Sequence, residues 1–268
     1  MKSSHLYGIE FDREIYALAC ANMLIHKDGK TNLEQMDART ESACEWMKSK
    51  PITKVLMNPP YENKYGCMTI VENVLDNVPA HTQCAFILPD KKLEKASKAQ
   101  IKRILKNHRL RKVIKLPEDL FFGVGITTSI FVFEAGVGQD GKEFFACYME
   151  SDGLATVKNK GRHDIYGKWA AIEAHWVEVM EKQSGDNTCQ WIDPTEHLSY
   201  QMPQKPFEIF EEDFRKTAID YLMFQKGIDA KLFGEKLMTT AMYSSRVGVQ
   251  NDTVTVIMQK GGDSDDED

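Results

Sequence analysis

Strand-like and helix-like segments alternate through the first half of this chain, and this alternation constrains the fold more than any other feature. The candidate strands are LYGIE, LEQMD, KVLM, QCAFILP, RKVIKLP and TTSIFVFEA, which begin at residues 6, 33, 54, 83, 111 and 127. Most are separated by stretches of helical length, which is typical of βαβ units and a mostly parallel α/β sheet. Because the last two are joined by a loop without a helix, we expect an antiparallel strand there.

An N-cap signal supports the first helix of this pattern. Asp12 follows the strand LYGIE, and apolar residues recur at helical spacing from Ile15 to Met23. We therefore predict a helix that begins after Asp12 and extends through Ile25.

The character of the sequence changes after Gly136, where GVGQDGKE predicts a turn or linker. We predict a first domain over residues 1–136 and a C-terminal extension over 137–260 that packs or binds a partner. The extension contains one candidate strand, FFACYME, two candidate helices around residues 172–180 and 210–226, and no chemical motif. The acidic tail GGDSDDED, residues 261–268, is expected to be disordered.

The distribution of charge is more informative than its sum. The formal net charge is −6, which is unusual for a protein that touches nucleic acid. The opposite bias lies in residues 91–115, where Glu94 is the one acidic residue. This stretch is either a solvated helix face or a patch that faces phosphates.

Composition also limits the location of the chain. No run of about 18 apolar residues occurs, so no transmembrane helix is expected. The N-terminus has no apolar segment typical of a secretory signal. The six cysteines are dispersed and form no CxxC pair, which argues against a zinc site and suits a reducing cytoplasm.

The strand KVLM ends abruptly at Asn58-Pro59-Pro60-Tyr61, and this turn suits methylation of an exocyclic amine such as adenine N6. The lone pair of that nitrogen is delocalised, so two acceptors placed on its N–H groups would draw it toward tetrahedral geometry. Asn58 offers its side-chain oxygen and Pro59 its backbone carbonyl, on a turn stiffened by proline. Tyr61 can stack on a base that has been flipped out of the duplex.

NPPY after KVLM resembles the catalytic motif of amino-methylating methyltransferases that use S-adenosylmethionine. GIEFDREIYALACANMLIH and AFILPD, with the stretch from IKRILKNHRLRKVIKLPEDLFF to GVGITTSIFVFEAG, resemble the modification (methylase) subunit of type I restriction–modification systems. The resemblance spans roughly Leu6 to Gly136. It implies a Rossmann-like sheet, N6-methylation of adenine in double-stranded DNA, and assembly with a DNA specificity subunit and a restriction subunit, away from any membrane.

The same resemblance implies two cofactor-binding residues. Glu10 ends the strand LYGIE, where family members bind the cofactor ribose hydroxyls with a carboxylate. Asp37 ends the next strand and would accept a hydrogen bond from the cofactor adenine. The alternative for Glu10 is a carboxylate that only starts the following helix.

For the target base, Asn58, Pro59 and Tyr61 match the catalytic loop of the family. Phe122 lies in the loop before the last strand of the alternating half, where related adenine methylases hold a second aromatic ring against the flipped base. Phe121 competes for that role, and either ring could instead belong to the core.

The sequence departs from the family at one point. These enzymes begin their sheet with a strand and a DPxxGxG-type glycine turn that holds the methionine part of the cofactor, and these 268 residues contain no such turn. We therefore expect a methyltransferase sheet that is incomplete at its N-terminus. Two alternative functions stay open, a catalytically silent methylase remnant that only binds partner subunits and a methylase of protein glutamine or RNA.

Overall fold

The fold is seen in a computed structural model of the chain. It describes residues 5–26, 32–61, 66–118, 120, 125–157, 160–203, 209–250 and 253–258. The chain divides into two compact units, Met1–Met202 and Pro203–Asp268. Each unit is described by itself.

The first unit contains strands and helices in alternation, as the sequence pattern predicts. In chain order its elements are β1 (Tyr7–Glu10), α1 (Arg13–His26), β2 (Asn32–Gln35), α2 (Glu41–Lys48), β3 (Lys54–Met57), α3 (Cys67–Asn77), β4 (Gln83–Pro89), α4 (Lys92–Lys95), α5 (Lys98–Asn107), β5 (Arg109–Lys115), β6 (Thr128–Glu134), β7 (Phe144–Tyr148), β8 (Ala155–Val157), β9 (Gly161–His163), α6 (Trp169–Lys182) and β10 (Cys189–Ile192).

A six-stranded sheet forms the centre of this unit, in the order β10-β7-β5-β6-β4-β3. The expected antiparallel strand is confirmed, because β6 runs antiparallel to both β4 and β5. Only β3–β4 and β5–β7 are parallel pairs in this sheet, so it is less parallel than the pattern predicts. Two strands beyond residue 136, β7 and β10, are hydrogen-bonded into it.

The strands β1 and β2 form a parallel pair of their own. Among the described residues they share no ladder with the six-stranded sheet, although Ile9 of β1 packs against its core. Tyr7 meets Trp46 of α2 edge-on, with ring centroids 6.1 Å apart. Within the first unit, side-chain packing therefore connects this strand pair to the core of the six-stranded sheet and to α2.

The main core lies on one face of the six-stranded sheet. Because side chains alternate along a strand, Cys84, Phe86 and Leu88 of β4 are buried while Ala85 and Ile87 are partly exposed. The apolar faces of α3 and α5 cover this buried face. The largest fully buried side chains of the unit are Phe86, Phe131, Phe133, Phe144, Phe145, Leu75, Leu88, Leu93, Ile104 and Leu110.

Helix α1 begins as its N-cap signal predicts. The Asp12 carboxylate oxygen Oδ1 accepts hydrogen bonds from the backbone N–H groups of Glu14, at 2.8 Å, and Ile15, at 3.0 Å. These bonds satisfy donors that the first helical turn leaves without partners.

Several cations of the basic stretch 91–115 are used in packing within the first unit. Arg103 of α5 donates to Glu72 of α3 at 2.9 Å. Lys112 of β5 donates to the Met180 carbonyl of α6 at 2.5 Å. Lys115 is almost fully buried beside Asp90. These three side chains are therefore already engaged, and the proposal that the stretch faces phosphates depends on its remaining exposed lysines.

The second unit contains α7 (Glu211–Gln225), α8 (Ala230–Ser244) and an antiparallel hairpin of β11 (Ser245–Gln250) and β12 (Thr253–Met258). The helix predicted around residues 210–226 is confirmed as α7. It exposes the large apolar side chains Phe214, Ile219, Tyr221, Leu222 and Phe224. Within the described residues no helix is long and apolar enough to cross a membrane. The acidic tail, residues 261–268, lies outside the described residues.

Candidate active site

The Asn58–Tyr61 loop begins directly at the carboxyl end of β3, one residue past the last paired position, Met57 opposite Phe86. Pro59 is buried, whereas Asn58 and Pro60 are exposed and Tyr61 is partly exposed. A buried proline between exposed neighbours anchors the turn and leaves the Asn58 amide at the surface. Residues 62–65, which follow, lie outside the described residues.

The Tyr61 hydroxyl is buried, and the described residues offer it no partner with hydrogen-bond geometry. Burial raises the pKa of this phenol, and the nearby Cys67 thiol raises it further. The Asn58 side chain lies close enough to lower the same pKa, but it does not complete a hydrogen bond. The hydroxyl therefore stays neutral at pH 7, and the exposed part of Tyr61 consists of its other atoms.

Helix α4, which follows the neighbouring strand β4, contacts this loop through its first residue, Lys92. The Lys92 ammonium donates to the backbone carbonyl oxygen of Tyr61 at 2.6 Å. Burial raises the pKa of the Cys67 thiol at the start of α3. The nearby Lys92 ammonium lowers this pKa, but by less than burial raises it. In the sequence, Lys92 is one member of the basic stretch 91–115, and no local motif indicates this contact.

A buried polar cluster lies next to α4, at the carboxyl ends of β4 and β5. Asp90 accepts a hydrogen bond from the Ser129 hydroxyl at 2.6 Å and pairs with the Lys115 ammonium at 3.4 Å. Lys115 also lies over the Tyr148 ring, 5.5 Å from its centroid. The cluster therefore fixes the end of β4 on the side where the Asn58–Tyr61 loop begins.

The two predicted cofactor residues lie together at the carboxyl ends of β1 and β2. The backbone N–H of Met36, next to Asp37, donates to the Glu10 carbonyl oxygen at 3.1 Å. Glu10 uses the side-chain oxygen Oε1 to accept from the Asp12 N–H at 2.8 Å. Its other carboxylate oxygen has no partner among the described residues, so Glu10 fits a ribose diol.

Asp37 fits a cofactor less well, because Arg39 already engages both of its carboxylate oxygens. The Arg39 guanidinium donates to Oδ1 and Oδ2 at 2.5 to 3.0 Å, and the Arg39 backbone N–H donates to Oδ1 at 2.9 Å. The hydrogen bond from the Arg39 side chain holds the pKa of the Asp37 carboxyl below its usual range. A ligand N–H must therefore compete with Arg39 for this carboxylate.

Arg39 also lies close to Gly66, the N-cap residue of α3. Gly66 caps the N-terminus of α3 and has φ +68°, a conformation that favours glycine. A Cβ atom there would lie 3.2 Å from Cδ of Arg39. The predicted site residues therefore form two groups, Glu10 with Asp37 and the 58–61 loop, and Arg39 lies between Asp37 and the N-cap residue of α3. Phe121 and Phe122 lie outside the described residues.

Comparison with known proteins identifies the family. The family described as N-6 DNA Methylase matches residues 1–89 and 68–160, which is more than half of the chain. The chain belongs to the N-6 DNA methylase family. The match includes Glu10, Asp37 and the whole Asn58–Tyr61 loop, so both groups of the site lie within the part shared with the N-6 DNA methylases.

One curated relative is the type II restriction enzyme and methyltransferase RM.BcgI of Heyndrickxia coagulans. It is 28% identical over 251 residues, which cover 86% of this chain and 38% of that protein. This N-6 DNA methylase chain therefore spans well under half of the length of that relative.

Solved structures show the same fold. The methyltransferase subunit of a Streptococcus thermophilus type I restriction–modification system is 19% identical, with a TM-score of 0.55, over 71% of this chain and 45% of that one. A Listeria monocytogenes protein described as a class I S-adenosylmethionine-dependent methyltransferase is also 19% identical, with a TM-score of 0.50, over 67% of this chain and 55% of that one. The predicted Rossmann-like α/β fold of these methyltransferases is confirmed.

Proposed function

We propose that this chain supplies the catalytic loop for transfer of a methyl group from S-adenosylmethionine to N6 of adenine in double-stranded DNA. One observation carries the proposal, the Asn58–Tyr61 loop at the carboxyl end of β3, with Asn58 exposed on a buried Pro59. Ligands of α/β proteins bind at this end of the strands. Membership of the N-6 DNA methylase family points to the same chemistry.

Asn58 and Pro59 would act on the target amine. The Asn58 side-chain oxygen accepts a hydrogen bond from one N–H of adenine N6, and the Pro59 carbonyl accepts from the other. These bonds draw the nitrogen toward tetrahedral geometry and localise its lone pair. The two acceptors are fixed before the substrate arrives, because proline stiffens the turn and Pro59 is buried. The surplus proton leaves after transfer, so no strong general base is needed.

Tyr61 would hold the base that presents this amine. Adenine N6 is paired inside a duplex, so the nucleotide must first be flipped out. The Tyr61 ring can then stack on the flat base, since its hydroxyl points into the protein. Phe122, outside the described residues, remains our proposed second aromatic contact.

The residues on β1 and β2 would bind the cofactor. When bound, S-adenosylmethionine supplies an electrophilic methyl group. The unpartnered carboxylate oxygen of Glu10 would accept from the ribose hydroxyls. Asp37 would accept from the cofactor adenine in competition with Arg39.

The relatives support an assembly. The Streptococcus thermophilus relative is a subunit, and the Heyndrickxia coagulans relative combines restriction and methylation. We propose that this chain works in the cytoplasm with a DNA specificity subunit and a restriction subunit. All six cysteines are free, which suits a reducing compartment.

One observation favours a second candidate, a silent methylase remnant that only binds partner subunits. Arg39 occupies the Asp37 carboxylate that a cofactor would need. In that case the chain would fail to bind S-adenosylmethionine in any mixture, and this result separates the two candidates.

Replacement of Asn58 by alanine tests the proposed chemistry. Unmethylated DNA is incubated with S-adenosylmethionine and the chain, alone and mixed with the N-terminal part of a related methylase. N6-methyladenine is then measured by mass spectrometry of the nucleosides. Asn58→Ala should lower the rate about 100- to 1000-fold, the usual effect of losing one preorganised polar contact in a comparable site.

Asn107→Ala provides the matched control, because Asn107 is an exposed residue at the end of α5 and far along the chain from the loop. It should keep the wild-type rate. Full activity of Asn58→Ala would remove Asn58 from the mechanism. No N6-methyladenine from the wild-type chain in either arm would contradict the proposed function.

A further inference from the structure

We propose that Lys92 is a positioning residue for the catalytic loop, which it holds in place through the backbone of Tyr61. The inference rests on the proposed function, because it concerns the same loop. Lys92 contacts neither the base nor the cofactor in the proposed mechanism. It acts by fixing Tyr61 and, through the short turn, the two acceptors on Asn58 and Pro59.

The contact itself is short and carries a charge. The Lys92 ammonium lies 2.6 Å from the carbonyl oxygen of Tyr61, and Lys92 is half-buried. Hydrogen bonds from an ionised donor are shorter and stronger than neutral ones. This bond joins residues 31 positions apart, so it ties the loop after β3 to the segment after β4.

The composition of the loop leaves its backbone with more acceptors than donors. Pro59 and Pro60 have no backbone N–H and cannot donate hydrogen bonds that would fix the turn. Its backbone keeps four carbonyl groups but only two N–H groups, those of Asn58 and Tyr61. Among the described residues, Lys92 supplies the one hydrogen bond from another element to the backbone of residues 58–61.

Lys92 extends from a segment that is fixed just before it. Asp90, two residues earlier, accepts from the Ser129 hydroxyl at 2.6 Å and pairs with the buried Lys115. The Asp90 backbone N–H also donates to the Thr127 carbonyl at 3.0 Å. The start of α4 is therefore held at the end of the sheet.

The segment is fixed again just after Lys92. Leu93 is 2% exposed and belongs to the main core. The Glu94 carboxylate accepts from the Ser199 hydroxyl at 2.7 Å and from the Leu198 N–H at 3.2 Å. Because α4 is anchored on both sides of Lys92, the ammonium can hold the loop in one position.

The test is a kinetic comparison of Lys92→Met with the wild type, in the DNA methylation assay with the related N-terminal part present. Loss of one charge-assisted hydrogen bond should lower kcat about 10- to 100-fold. The KM for DNA and the Kd for S-adenosylmethionine should change less than about threefold, because Lys92 contacts neither ligand. Lys92→Arg, which keeps a charged donor, should restore most of kcat.

Lys142→Met is the matched control, since it removes the same charge from an exposed lysine outside the basic stretch 91–115. It should keep the wild-type kcat. An unchanged kcat in Lys92→Met, or an equal loss in Lys142→Met, would overturn the proposal. A loss of kcat accompanied by a lower melting temperature in Lys92→Met and Lys92→Arg alike would show a general structural role instead.

A second measurement decides the proposal even if the wild-type chain proves inactive. Hydrogen–deuterium exchange is followed by mass spectrometry in peptides that contain Asn58 and Tyr61. Exchange there should become faster in Lys92→Met and stay at the wild-type rate in Lys142→Met and Lys92→Arg. Unchanged exchange in Lys92→Met would overturn the positioning role, whereas failed methylation by the wild type would count only against the proposed function.

Discussion

The Tyr61 side chain is partly exposed, but its hydroxyl is buried. Its hydroxyl is buried without a hydrogen-bond partner among the described residues, and burial raises its pKa. A buried polar group without a partner lowers stability relative to an apolar group of the same shape. Base stacking requires only the ring face, so we expect the buried hydroxyl to contribute nothing to it.

We predict that Tyr61→Phe keeps methylation activity and is at least as stable as the wild type. Tyr61→Ala should lose about 1–3 kcal/mol of base binding, the usual contribution of one stacked base. Fluorescence of 2-aminopurine at the target position measures the flipped base, and thermal unfolding measures stability.

Tyr61→Trp is a useful third variant, because it keeps an aromatic face while changing the edge. It should resemble Tyr61→Phe in the fluorescence assay. If Tyr61→Phe is as damaging as Tyr61→Ala, then the hydroxyl carries the role and stacking does not.

At the scale of elements, the sequence predicts the strands and turns that depend on neighbouring residues along the chain. The strands KVLM and QCAFILP are found as β3 and β4 at their predicted bounds, because alternation and flanking turn residues mark both. Helix α4 and the three-residue strands β8 and β9 are too short to show a period, so the sequence pattern does not reveal them.

The same difference between local and long-range features applies to the site. The NPPY turn is a local motif, whereas the contact of Lys92 with Tyr61 and that of Arg39 with Gly66 depend on tertiary packing.

The N-cap of α1 supports a prediction at this scale. Asp12→Ala removes the acceptor for the N–H groups of Glu14 and Ile15, so it should lower the free energy of unfolding by about 1 kcal/mol. Asp12→Asn keeps a side-chain acceptor and should lose much less. Urea unfolding followed by circular dichroism measures both variants, and equal stability of Asp12→Ala and the wild type would contradict the capping role.

At the scale of the whole chain, the described strands of the first unit form separate sheets. The candidate cofactor residues lie on β1 and β2, whereas the catalytic loop follows β3 in the six-stranded sheet. No strand ladder joins these two sheets within the described residues. Alternating strand and helix signals gave the right fold class, but hydrogen-bonded neighbours in a sheet are set by long-range packing that such signals do not encode.

This arrangement leads to a prediction about cofactor binding. We expect the 268-residue chain alone to bind S-adenosylmethionine weakly or not at all. Glu10 can hold the ribose, but Arg39 competes for Asp37, and these residues include no glycine-rich turn for the methionine part. Without that anchor the methyl group is not aimed at the amine held by Asn58, and positioning can account for roughly 7–11 kcal/mol of a reaction barrier.

Calorimetric titration with S-adenosylmethionine tests this prediction on the chain alone and on the chain mixed with the N-terminal part of a related methylase. Binding only in the mixture would show that the pocket is completed by the added part, and Glu10→Gln should then weaken it while Asn58→Ala leaves it nearly unchanged. Micromolar binding by the chain alone, with methyl transfer to DNA, would show that residues of this chain cradle the methionine part without a glycine turn. Binding in neither sample would favour the silent remnant, because the Asp37 carboxylate would then remain with Arg39 even when the rest of a methylase is supplied.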